Sequence, residues 1–307
     1  MTDYFKTHFF IEMFFGKENN RGLLLHEQTL PYNKVRLLFE EYGLFKGCDH
    51  LAQIIITQLS TIDGYVGETF DMNIGNWFID NVHIIIVKED GCFYDSTSVI
   101  NNNGCFEPLV FYVGFRALES PNLKSMIMHE LTHAYEDWNR RKNGVDSLYA
   151  IADKNGYDKN PIGLNNIYDE DIRKLSWILY HYNDFERNAY FAQINGEMSK
   201  CNIRFERISD AYNWLKQNSI AYRNYRIIFD WVSELISIRD VNRQNNILKR
   251  CKELSNFQFK TYNQLCKWLQ LKTNDYQRSF NRIIPKIVGK YMRFEEWLNP
   301  SNVNLME

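Results

Sequence analysis

Met126 to Tyr135 reads M-I-M-H-E-L-T-H-A-Y, within a stretch from Leu123 to Arg141 that no proline or glycine interrupts. Ile127, Leu131, Ala134 and Trp138 recur at the spacing of one helix face and predict an apolar stripe. His129 and His133 fall off that stripe. Residues four apart lie on the same side of an α-helix, so both imidazoles can reach one metal ion. Glu130 follows the first histidine directly and can stand at the open side of that metal. The plain alternative is a surface helix with two solvated histidines. Ser120-Pro121 predicts the helix start, as cap and first-turn proline. Lys142-Asn143-Gly144 predicts its end.

H-E-x-x-H with uncharged residues inside and apolar residues around it resembles the signature of the zincin metallopeptidases. The resemblance implies a zinc ion held by His129 and His133, with Glu130 as general base. Catalytic zinc usually takes three protein ligands. The metzincin pattern wants a histidine six residues after His133, but that position is Asn139 and the glycine expected before it is Glu136. The gluzincin pattern takes a glutamate from a second helix downstream.

Residues 170–198 predict such a helix, and it contains F-E-R-N-A-Y-F-A, Phe185 to Ala192. Glu186 followed by Ala189 is similar to the E-x-x-A element of small gluzincins such as the ImmA/IrrE group, which implies Glu186 as third ligand. Tyr190 stands where that group often has Asp or Asn, so the groups behind the ligands must differ. The gap from His133 to Glu186 is 53 residues, and a polar insertion at about 143–169 must loop out. Asp146 in G-V-D-S-L-Y, faintly like the aspzincin element, is the rival third ligand. Asp169, Glu170 and Asp171 read as an acidic first turn suited to the helix dipole. Tyr182 and Tyr190 lie four residues either side of Glu186 and are the candidate donors to a tetrahedral oxyanion. With 19 Tyr in the chain, ordinary packing explains them equally well.

Val82 to Lys88 is a β-branched run, and Leu109 to Phe115 is a second that ends just before the H-E-x-x-H helix. Zincins place an edge strand beside the metal, so the resemblance makes Leu109–Phe115 the candidate strand for an extended peptide. Around these runs the chain predicts strands and turns over 63–118. Helices are predicted at Tyr32–Glu41 and Asp49–Leu59. Asn195-Gly196 predicts a stop. Further helices are predicted at Phe205–Lys216, Tyr222–Ile238, Asn245–Leu254, Tyr262–Leu271 and Tyr276–Met292, with Trp214, Trp231, Trp268 and Trp297 as packing residues. Strands first and helices after predict an α+β fold: a zincin-like core with an all-helical C-terminal region. The expected divisions are 1–62, a catalytic 63–200, and a basic helical 201–307.

Hydrophobic residues make up 45% and charged residues 24% of 307, the make-up of a globular protein with a real core. The net charge of −2 is uneven: residues 201–307 hold 18 Lys+Arg against 10 Asp+Glu, a surplus of +8. That region reads first as a solvated helical face, since no nucleic-acid motif accompanies it, and contact with nucleic acid or another acidic partner is the alternative. The cysteines at 48, 92, 105, 201, 251 and 266 form no C-x-x-C pair and suit a reducing compartment. Asp3, Lys6 and Glu12 interrupt the apolar opening, so neither a signal peptide nor a membrane span is expected and the expected location is cytoplasmic. The sequence thus predicts a Zn²⁺-dependent peptidase. The competing expectation is a non-catalytic zincin core whose basic helices bind nucleic acid or an assembly partner. A form masked by the N-terminal 60 residues or the 143–169 loop is a third.

Overall fold

The computed structural model describes residues 44–61, 65–75, 78–88, 91–95, 97–144, 169–182, 184–201, 203–254, 257 and 259–293. The predicted helix Tyr32–Glu41, Asp146 and nearly all of the 143–169 insertion lie outside the described residues. The fold is α+β, as predicted. It divides into two compact units, Met1–Val145 and Asp146–Glu307, where the sequence had suggested divisions after 62 and 200.

In the first unit, helix α1 (Leu44–Leu59) precedes strands β1 (Thr69–Asn73), β2 (Asn81–Val87), β3 (Cys92–Tyr94) and β4 (Leu109–Gly114). A short helix α2 (Phe115–Leu118) and the long α3 (Leu123–Lys142) follow. The sheet order is β1-β2-β4-β3. The β2–β4 pair is parallel, and both outer pairs are antiparallel. Alternation sets the register. Val82, Ile84 and Ile86 of β2 stand opposite Leu109, Phe111 and Val113 of β4, and all six side chains are buried. A slip of one residue would turn the whole set to the other face. Leu109–Gly114 is therefore an interior strand paired on both sides, not the edge the sequence suggested. The edge that packs on α3 is β3.

Helix α3 begins two residues later than expected. Ser120 accepts from the backbone N–H of Asn122 through its hydroxyl (3.1 Å) and from that of Leu123 through its carbonyl (3.1 Å). Ser120-Pro121-Asn122 thus closes a turn first, and Asn122 occupies the cap position. The end falls where expected: Asn143 caps, and Gly144 takes φ +66°, a left-handed conformation suited to glycine.

The second unit is helical among its described residues: α4 (Glu170–His181), α5 (Asp184–Lys200), α6 (Ile208–Asn218), α7 (Ile220–Ser237), α8 (Val241–Leu254) and α9 (Tyr262–Gly289). Three helix boundaries differ from the expected ones. The helix expected at 170–198 is two, because α4 ends at a Tyr182 cap. There the Tyr182 hydroxyl lies 2.6 Å from Thr273 Oγ1 and donates to the Leu269 carbonyl (3.3 Å), which anchors the break on α9. Asn195-Gly196 does not stop α5. Ile194 and Met198 are wholly buried, which outweighs the cost of about 1 kcal/mol for a helical glycine. The two helices expected at 262–292 are one, since Thr273 returns its hydroxyl to the Leu269 carbonyl (2.7 Å) without breaking the turn.

Tyr225, Tyr276 and Phe280 form the centre of this unit, with Tyr225 stacked on Tyr276 at 4.0 Å. Trp214 and Trp268 pack at its margins against Phe205 and Tyr182. No disulfide joins the described cysteines. No described helix is long and apolar enough to cross a membrane.

Glu197 is a buried carboxylate of α5 that accepts from the Ser219 hydroxyl, the Ala221 N–H (3.3 Å) and Gln193 Nε2 (3.3 Å). It thereby joins α5 to the start of α7. Burial raises its pKa, against the smaller pull of those donors. A folded pKa above the unfolded value stabilises the fold at low pH, and that contribution is lost as pH rises through the folded pKa. Glu197→Gln removes this titration. Urea unfolding at pH 4 and pH 7 should therefore show the variant gaining stability relative to the parent at the higher pH. An unchanged gap would refute the assignment.

Candidate metal centre

Helix α3 has buried side chains in two directions. Ile127, Leu131, Ala134 and Trp138 form the predicted stripe and are all buried. Thr132 donates to the Met128 carbonyl (2.8 Å) and meets Cys48 Sγ of α1 at 3.6 Å. The Cys48 thiol is pushed up to about 12, chiefly by burial, so this contact is packing and not thiolate chemistry.

His129 and His133 are 7% and 4% exposed, which excludes the solvated-histidine alternative. Their rings meet edge to face at 4.8 Å, and the Tyr94 ring lies 6.4 Å from that of His133. One donor atom each from His129, Glu130 and His133 falls within 4.8 Å of the others. Zinc–nitrogen distances of about 2.0–2.1 Å put two ligands of one tetrahedral ion roughly 3.3 Å apart. The 4.8 Å span thus leaves room for one of the three to stand outside the shell. Two neutral imidazoles and a carboxylate suit zinc better than calcium or magnesium, which prefer oxygen alone.

Glu130 is positioned from outside its own helix. The Tyr94 backbone N–H donates to Glu130 Oε2 at 3.0 Å. The Asp95 N–H and the Gly91 carbonyl bond to β4, so strand alternation turns the backbone groups of Cys92 and Tyr94 to the outer edge. The edge strand and the carboxylate are thereby set in one register. Cys92 is half-buried as a residue, but enclosure of its sulfur pushes the thiol well up, and the Glu130 charge adds to this. Sequence reading had given β3 no role. Its three residues are too short for a visible alternation, and only the pairing to β4 reveals the edge.

The C-terminal half of α3 holds the loop that leads from β3 to β4. Trp138 Nε1 donates to the Gly104 carbonyl (2.5 Å), and Arg141 Nη1 donates to the Ser98 carbonyl (2.9 Å). Arg141 also pairs with fully buried Asp137 at 2.5 Å.

The remaining predicted residues belong to the second unit. Glu186 lies on α5 and is buried, and Ala189 one turn on is wholly buried. Tyr190 lies on the same helix, stacked on His181 at 4.8 Å. Tyr182 lies before the break between α4 and α5, so it does not share a continuous helix face with Glu186. The rival ligand Asp146 is outside the described residues.

Compared with known protein families, curated proteins and solved structures, the chain matches none.

Arg141→Met should cost about 3 kcal/mol of stability, because the buried Asp137 charge would lose its ion pair with Arg141. Arg141→Met combined with Asp137→Leu should recover most of that loss. Chemical denaturation of the single and double variants measures both, and a single variant as stable as the parent would refute the pairing.

Proposed function

We propose that the protein is a zinc-dependent peptidase of the zincin type. The observation that carries this reading is the cluster of buried His129 and His133 with Glu130, its carboxylate fixed by the edge strand. His129 and His133 would hold the ion. When bound, zinc would lower the pKa of water from about 15.7 to about 7 and polarise a carbonyl oxygen. Glu130 would take the proton from the attacking water and return it to the leaving amine, a role worth typically 10²- to 10⁴-fold in rate.

An extended peptide would add to the outer edge of β3 at the outward backbone groups of Cys92, next to the Tyr94 N–H that holds Glu130. Such pairing is independent of peptide sequence. Glu186 is the third ligand in this reading, on the strength of the E-x-x-A pattern over 186–189. Tyr182 and Tyr190 are the candidate oxyanion donors in this reading, and the Tyr182 hydroxyl would have to leave its contacts on α9 to serve.

Purified protein should contain about one zinc per chain by elemental analysis. Glu130→Gln should keep that zinc and lose at least 100-fold in cleavage of a fluorogenic peptide mixture. His133→Ala and Glu186→Ala should each lower zinc occupancy. Full cleavage by Glu130→Gln would remove the base assignment, and unchanged zinc in Glu186→Ala would move the third ligand elsewhere. Protein that takes up no zinc would favour a non-catalytic core.

A further inference from the structure

Strand β3 is closed at both ends. Gly91 before it takes φ +103°. After it, the Asp95 carbonyl accepts from the Ser98 N–H (3.0 Å) and Asp95 Oδ1 accepts from the Thr97 N–H (2.8 Å), which turns the chain away. Between those turns the outer edge offers the N–H and carbonyl of Cys92 and the carbonyl of Tyr94, because the Tyr94 N–H is held by Glu130. A ladder this short adds only modestly to affinity. A peptide on this edge would therefore be chosen by its side chains.

Strand alternation decides which groups those side chains meet. Tyr94 points toward α3, where its ring lies 6.4 Å from that of His133. Phe93 points to the opposite face of the sheet. There it stacks on Tyr112 of β4 at 5.0 Å, with the ring planes 21° apart. Tyr112 is level with Ile85 of β2, and its hydroxyl donates to Asp95 Oδ2 (3.3 Å), which holds the ring. Ile85, Tyr112 and Phe93 thus form one apolar row across three strands, all half-buried, and the row stops at the sheet edge.

We propose, building on the peptidase reading of the His129–Glu130–His133 centre, that Phe93 is a specificity-determining residue and that the substrate is a peptide with an aromatic or branched aliphatic side chain across from it. An antiparallel peptide that exchanges backbone bonds with Cys92 sets an adjoining residue opposite Phe93. That pair carries no hydrogen bonds of its own, the arrangement in which cross-strand side chains come closest. The peptide side chain falls on the same face as the Phe93 ring and extends the row by one position. Aromatic pairs and aromatic–β-branched pairs are the favourable ones on a sheet face. The next peptide residue lies across from Tyr94, whose N–H holds Glu130, so the selected side chain belongs within one residue of the bond that is cut. Charge is the weaker basis for choice. The Asp95 carboxylate already takes the Thr97 N–H and hydroxyl and the Tyr112 hydroxyl.

The test is cleavage of a mixed peptide library by the zinc-loaded full chain, with the products mapped by mass spectrometry. Aromatic and branched aliphatic residues should be enriched about two- to tenfold at one position within one residue of the cut bonds. Phe93→Tyr should keep that enrichment, and Phe93→Ser should flatten it. Phe93→Lys should replace it with Asp and Glu, a gain that damaged folding cannot produce. Parent protein that cuts peptides with a flat profile beside the cut bond would overturn the role of Phe93 and leave the peptidase reading standing. So would a preference that survives unchanged in Phe93→Ser, which would place the choice on another wall of the site, and enrichment of Lys and Arg, which would move it to Asp95. Parent protein that cuts no peptide would remove both readings.

Discussion

A single helix with 3.6 residues per turn has to satisfy three neighbours at once in the first unit. Ile127, Leu131, Ala134 and Trp138 fill the apolar side of α3, and Thr132 lies against Cys48 of α1. His129, Glu130 and His133 occupy what remains of the circumference. The helix cannot rotate to relieve one contact without exposing another. A rotation by one residue is about 100°. It would bring the Glu130 carboxylate or the Thr132 hydroxyl to the position of Leu131 and leave a polar group among methyl groups. The geometry of the cluster is therefore a consequence of core packing on the other sides of α3, and the centre is as rigid as that core.

The second fixed element is the short edge strand. Three residues of β3 would be a marginal strand alone, but they are held from both directions. One side pairs with β4, and the other gives the Tyr94 N–H to Glu130. Beyond β3, the chain to β4 is fastened by Trp138 and Arg141. The same helix that carries the candidate ligands thus also fixes the strand beside them. A local change in α3 would reach the carboxylate twice, through its own backbone and through the strand. Such doubling is what a preorganised site requires.

What was legible in the sequence follows from how local its cause is. The α3 stripe, the Asn143-Gly144 end and the β-branched run of β2 depend on neighbours a few residues away, and they were readable. The interior place of Leu109–Gly114 was not, because strand order depends on pairing between segments far apart in sequence. The break at Tyr182 and the continuity at Thr273 were also hidden. They are two ends of one contact, a tyrosine hydroxyl shared with the final turns before Thr273, and no window on either segment contains both. Asn195-Gly196 misled for the opposite reason: its local turn signal is real, but buried Ile194 and Met198 override it.

The charge distribution gains meaning when it follows the structural units and not the thirds of the chain. Residues 1–145 hold 12 Lys+Arg against 19 Asp+Glu, and residues 146–307 hold 24 against 19. An acidic surplus of seven favours the approach of a divalent cation, and a basic surplus of five favours anions. Long-range fields of this kind bring ligands near a surface without choosing a site, and they fade over about 8 Å at physiological salt. The choice has to come from convergence at short range. In the first unit two imidazoles and a carboxylate would supply it, on a helix that packing prevents from turning. Composition alone leaves the basic region between a solvated helical face and a contact for an acidic partner, because charge count does not say where the cations converge.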